Sequence, residues 1–115
     1  MQKEAGARVV RSRNAVLLAL AANSAPGRLI IGANADDARD YPDCRPAFLA
    51  AMGVALGREV VAPLVTRSKP WIIERARALG LSQEDAWSCY GPGPSECGEC
   101  PSCIESENAW APDWR

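Results

Sequence analysis

Leu29-Ile30-Ile31-Gly32 and, further along, Glu59-Val60-Val61-Ala62-Pro63 decide the fold class of this chain. Each run is apolar and β-branched, and each is closed at once by glycine or proline. Runs so short and so continuously apolar read as buried strands of a parallel sheet rather than half-exposed ones. Upstream, Asn14 reads as the cap of a helix over Ala15–Asn23 that is apolar nearly all round and is expected to be buried, followed by a Pro26-Gly27 turn. Between the strands, Pro46 suits the first turn of a second helix with Phe48, Leu49, Met52, Val54 and Leu56 as its apolar positions and Gly57 as its stop. After the second strand, Ser68 reads as the cap of a third helix over Lys69–Leu79. Its packing face is Trp71, Ile72, Arg75, Ala76 and Leu79, and Gly80 lies just beyond its end. The alternation of helix and strand specifies an α/β fold with a parallel sheet. Two strands make a poor sheet, so the chain reads as part of a larger one. The polar segment Asn34–Arg45 is too charged for a bare connection and reads as a ligand-holding loop.

The chain has 115 residues, 48% apolar and 23% charged, the composition of an ordinary globular protein. It contains no histidine, which removes imidazole acid–base chemistry and His-ligated metals. The net charge of -1 conceals polarity: residues 1–80 carry twelve Lys and Arg against seven acids, and residues 81–115 one Arg against seven acids. A basic stretch suits phosphate-bearing ligands, whereas a near-neutral whole does not suit direct nucleic-acid binding. The longest apolar run, Ala15–Ala22, is too short to span a membrane. Lys3, Arg8, Arg11 and Arg13 before it resemble a signal-peptide n-region, but Asn23 and Pro26 spoil the cleavage site, and a cytoplasmic protein is expected.

Beyond Ser82 the apolar content is too thin to fold by burial, and Gly91-Pro92-Gly93-Pro94 excludes regular structure. Here Cys97-Gly-Glu-Cys100-Pro-Ser-Cys103 follows Cys89. Three sulfurs within one tight turn and a fourth from an adjoining loop make a tetrahedral set. Thiolates prefer zinc or iron–sulfur to hard cations, and four of them leave no open position, so the expected ion is a structural Zn²⁺. An iron–sulfur cluster and two disulfides are the alternatives. Gly98 permits the tight turn. Cys44 is left over, either packed under a loop or chemically active.

Asp36, Asp37, Asp40 and Asp43 form an acidic cluster, readable as a Mg²⁺ site beside a phosphate or as a solvated loop. Arg13-Asn14 and Ser68-Lys69 each stand at an expected helix start, where backbone N–H groups beside a cation make a phosphate cradle.

Six pieces in order carry a resemblance: Arg13-Asn14 before the apolar helix, Ile31-Gly32-Ala33-Asn34, Tyr41-Pro42-Asp43-Cys44-Arg45-Pro46, Pro63-Leu64 with Ser68-Lys69, Trp87-Ser88-Cys89-Tyr90, and Cys97-x2-Cys100-x2-Cys103. The chain resembles the C-terminal half of the 7-cyano-7-deazaguanine (preQ0) synthases of queuosine biosynthesis, a tRNA-modification pathway. The resemblance implies a partial Rossmann-like sheet of the adenine nucleotide alpha hydrolase type and a four-cysteine zinc subdomain. It also implies an ATP-dependent C–N ligase that converts 7-carboxy-7-deazaguanine and ammonia to the nitrile, ATP activating first the acid and then the amide. By motif position, Cys89, Cys97, Cys100 and Cys103 correspond to zinc ligands. Tyr41, Asp43 and Arg45 correspond to the substrate pocket, with Arg45 facing the substrate carboxylate. Arg13 and Lys69 correspond to contacts with ATP or pyrophosphate.

Two departures accompany the resemblance. Val10-Arg11 stands where the family has Val-Pro, and the family's opening strand and Ser-Gly-Gly-x-Asp-Ser phosphate loop have no counterpart in these 115 residues. The expected division is therefore 1–84, the C-terminal part of an α/β ATP-pyrophosphatase-like domain, and 85–115, a zinc subdomain. The chain is expected to be inactive alone, with ATP and Mg²⁺ bound only when a phosphate-loop-bearing half is supplied by another chain. A sheet edge left open would favour a homodimer. The competing reading is a non-enzymatic, zinc-ribbon-like partner-binding module or a decayed fragment, with Trp87, Trp110 and Trp114 as contact residues.

Overall fold

The computed structural model describes residues 10–111; Lys3, Arg8 and Trp114, singled out above, lie outside the described residues. Two units are distinguished, 10–69 and 70–111.

In the first unit, α1 (Arg13–Ser24) precedes β1 (Leu29–Ile30), α2 (Ala35–Asp40), a 3-10 turn (Pro42–Cys44), α3 (Pro46–Leu56) and β2 (Val60–Val61). The strands pair in parallel, Leu29 opposite Val60 and Ile30 opposite Val61, but they are not buried as expected: Leu29 is buried, Ile30 is exposed and both valines are partly buried, since the described elements cover one face of the pair. The core between helices and sheet is Leu18, Leu29, Ala33 and Leu49, with Phe48, Met52 and Val60 packed against it. The unit is thus α/β with a small parallel sheet.

Three further expectations need correction. Asn14 does not cap α1: the helix begins one residue earlier, and Asn14 lies inside its first turn, buried at 8% exposure. Nor is α1 buried all round, because Leu18 packs inward while Val16, Leu17 and Leu20 stay exposed on a two-stranded sheet that covers one face only. The segment after β1, read as a ligand-holding loop, contains a short helix, α2. Asn34 accepts the N–H of Asp37, and Asp37 accepts the N–H of Asn34, a reciprocal capping box that starts α2.

On α3 the buried positions are Leu49 and Gly53, whereas Val54, expected in the core, is 85% exposed. Gly53 lets the turn into β2 pass close: a Cβ there would lie 2.8 Å from the Arg58 carbonyl oxygen. Gly53→Ala is expected to destabilise the unit by about 1–3 kcal/mol despite alanine's better helix propensity, because backbone must move. An unchanged urea midpoint would contradict that. Arg58 closes the other end of α1, its guanidinium donating to the carbonyls of Ala22, Ala25 and Gly27 at 2.9–3.1 Å. A cation on orphan C-terminal carbonyls also complements the helix dipole.

The second unit holds the rest of α4 (Lys69–Ala78), a 3-10 turn (Gln83–Asp85) and α5 (Pro101–Trp110). Ile73 is the buried residue of α4, while Trp71, Arg75 and Leu79 of the expected packing face are exposed. The buried stripe is narrower than the apolar pattern because this unit has few apolar partners to offer.

Candidate functional site

The four cysteines converge. The Sγ atoms of Cys89, Cys97, Cys100 and Cys103 all lie within 4.8 Å of one another, with Cys97 and Cys103 at 4.0 Å and no disulfide among them. A tetrahedral zinc with bonds of about 2.3 Å sets sulfurs about 3.8 Å apart, so the donor set fits that ion with little adjustment.

Local geometry builds the set. Gly98 takes φ +77°, the left-handed turn that folds Cys97 back over Cys100. Cys100 then caps α5, its Sγ accepting the N–H of Cys103 at 3.4 Å. Gly91 and Cys97 donate N–H to Cys89 Sγ, and Glu99 and Cys100 donate to Cys97 Sγ, at 3.2–3.3 Å. Backbone N–H groups aimed at sulfur stabilise thiolate, the form that binds metal. Accordingly the Cys100 thiol is pulled down to about 6 by the N–H groups of Tyr90 and Cys103. The Cys89 thiol is lowered by Cys97 and Gly91. Cys103 is pushed up to about 12 by burial and by hydrogen bonds to its neighbouring sulfurs. Cys103 therefore keeps its proton in the absence of a cation, and metal uptake releases it.

A supporting layer of residues escaped sequence reading. Glu96 Oε1 accepts from the Ser88 N–H and hydroxyl at 3.2–3.3 Å, and the Ser102 hydroxyl donates to the Ser88 carbonyl. These bonds hold the strand-like arm of Cys89 against the start of α5. The indole of Trp87 donates to the Cys89 carbonyl, leaving the ring 56% exposed. Trp110 is covered by the Arg77 guanidinium, 5.4 Å from its ring centroid.

The other candidates gather on segment 34–45, where three acids of the cluster are half-buried and hydrogen-bonded and Asp40 is exposed. Asp36 Oδ2 accepts the N–H of Lys69 at 2.8 Å, Asp37 belongs to the α2 capping box, and Asp43 Oδ2 accepts the N–H of Asn14 at 2.9 Å. Three carboxylates thus serve three helix starts. Among the described residues the group of three or more convergent metal-ligating side chains is the four cysteines. The expected phosphate cradles are corrected as well, since the backbone donors of Asn14 and Lys69 are already satisfied by the protein's own carboxylates.

Segment 34–45 is nonetheless tied to the starts of α1 and α4, where two of the expected ligand residues stand. Arg13 adjoins Asn14 and its charge reaches Cys44, while Lys69 meets Asp36. Arg45 donates through Nε to the Ala38 carbonyl at 2.8 Å, which sets its guanidinium at the C-terminal end of α2. Tyr41 ends α2, its N–H donating to the Asp37 carbonyl. The Cys44 thiol is raised by burial and by the Asp37 and Asp43 carboxylates, which disfavours its thiolate.

The family described as "Queuosine biosynthesis protein QueC" matches residues 1–112. The chain belongs to the QueC family. It is 40% identical over 109 residues to the 7-cyano-7-deazaguanine synthase of Trichodesmium erythraeum, covering 82% of this chain and 49% of the relative. It is 39% identical to that of Thermoplasma acidophilum (83% and 46%) and 40% identical to that of Caldicellulosiruptor bescii (89% and 51%). The chain spans about half the length of these QueC-family relatives and corresponds to a C-terminal part. Among the described residues no helix is long and apolar enough to cross a membrane.

Proposed function

We propose that these 115 residues are the zinc-bearing, substrate-recognising portion of a 7-cyano-7-deazaguanine synthase, an ATP-dependent ligase that makes the nitrile from 7-carboxy-7-deazaguanine and ammonia. Tyr41, Asp43 and Arg45 line the deazaguanine pocket, Arg13 and Lys69 meet ATP or pyrophosphate, and Zn²⁺ on the four cysteines is structural. The observation that carries this reading is the tying of segment 34–45 to Asn14 and to Lys69, which gathers the five assigned residues within one unit. The Rossmann-like sheet would be completed by strands added at an open edge of the two-stranded sheet, by a phosphate-loop-bearing half or a second copy. Five unpaired cysteines suit a reducing compartment, which supports a cytoplasmic location. The ligand is a free small molecule, and contact with tRNA itself is not part of the reading.

The 115-residue polypeptide alone is expected to form no nitrile from ATP, ammonia and the acid, and to form it when co-expressed with a phosphate-loop-bearing half. In that complex Arg45→Ala should raise KM for the acid by about 10–100-fold, the loss of one charge-assisted contact. Nitrile made by the chain alone would overturn the inactivity. A zinc-loaded complex that never makes it would overturn the ligase reading.

A further inference from the structure

We infer that Asn14 is a positioning residue for the acid-binding pocket, its side-chain amide fixing the Asp43–Cys44 turn from which Tyr41 and Arg45 project. This deepens the ligase reading above and rests on it. Asn14 is one of two buried polar side chains among the described residues, the other being the α2 cap Asn34. Its Nδ2 donates to the Asp43 carbonyl at 3.0 Å and points at Cys44 Sγ at 3.4 Å, while its own N–H donates to the Asp43 carboxylate. One residue of α1 therefore holds the 3-10 turn by main chain and side chain at once.

An asparagine is needed for this arrangement. Both atoms facing Nδ2 are acceptors, a carbonyl oxygen and a sulfur, so a neutral donor fits. A carboxylate there would face the Asp43 carbonyl without a proton to give. Serine or alanine would not reach. The thiol completes the contact, because its raised proton affinity keeps it neutral beside Asp43 Oδ1 at 3.9 Å. Displacement of reacting groups by about 1 Å can cost about 100-fold in rate, so a turn held at three points sets ligand geometry.

The test uses zinc-loaded chain complexed with a phosphate-loop-bearing half and compares wild type with Asn14→Asp and Asn14→Ala. The aspartate keeps a residue that suits a first helical turn, and the alanine adds no charge beside Asp43. Both variants should raise KM for 7-carboxy-7-deazaguanine about tenfold or more while leaving KM for ATP within about twofold. Both should also speed labelling of Cys44 by dithionitrobenzoate, located by peptide mapping, with zinc content unchanged. A merely structural role would change both KM values together or neither. Unchanged labelling means the amide does not hold the turn, and faster labelling with normal KM for the acid means the turn does not position it; either overturns the proposal alone. A wild-type complex that forms no nitrile overturns the ligase reading and the positioning role with it.

Discussion

Stripping the metal from the purified chain is expected to unfold residues 86–110 while residues 10–69 keep their structure. The reason lies in what is buried: in this stretch the buried cluster consists of Cys89, Cys100 and Cys103 themselves. Without a cation the cluster must hold protons or repel as thiolates. Zinc binding in small metal-folded peptides is worth roughly 10 kcal/mol, far more than such a stretch gains from burial. Cys100→Ser isolates the metal's share, because serine remains a good helix N-cap for α5 but is a poor zinc ligand. Native mass spectrometry should find one zinc per wild-type chain and none stably held in the variant. Limited proteolysis should cut between Trp87 and Cys103 only after chelation. Equal resistance with and without chelator would sink the metal centre. Visible charge-transfer absorption from the purified protein would replace zinc by an iron–sulfur cluster.

Replacing both Asp36 and Asp43 by alanine is expected to lower the stability of residues 10–69 by about 2–4 kcal/mol, since a lost helix cap costs about 1–2 kcal/mol. Each change strips the acceptor from one main-chain donor, the N–H of Lys69 in one case and of Asn14 in the other. A single domain holds only about 5–15 kcal/mol in all, so the double variant should show a large drop in urea midpoint with little change in slope. Asp43→Asn should lose less, because the amide oxygen still accepts while the charge facing the helix dipole is gone. A double variant with the wild-type midpoint would show these carboxylates to be idle. It would reopen the helix starts as anion sites.

The strand pair, the second and third helices and the cysteine centre were legible because each rests on local chemistry. Val60-Val61 and Leu29-Ile30 are short apolar runs that pair as strands, although Ile30 stays exposed and both valines are only partly buried; Gly57 and Gly80 stop helices at their own positions, and Cys-x2-Cys-x2-Cys is a chelate closed by a few residues. The short helix α2 was read as loop, because the density of charge over 36–43 obscured the capping-box spacing of Asn34 and Asp37. Glu96, Ser88 and Ser102 carry no pattern in one sequence. Their value comes from a loop closure that only folding brings about.

By itself the sequence determined the α/β class, the parallel pairing and the four sulfur donors, because strand propensity, helix stops and ligand spacing act over a few residues. Only the tertiary structure decided that three carboxylates of the acidic segment accept main-chain N–H groups at helix starts, and that Asn14 faces a turn instead of capping its own helix. Those outcomes depend on which backbone N–H groups, 29 or 33 residues away in the chain, are left without acceptors when the helices pack. A carboxylate satisfies whichever orphan donor the fold brings within reach, and local spacing does not encode that choice.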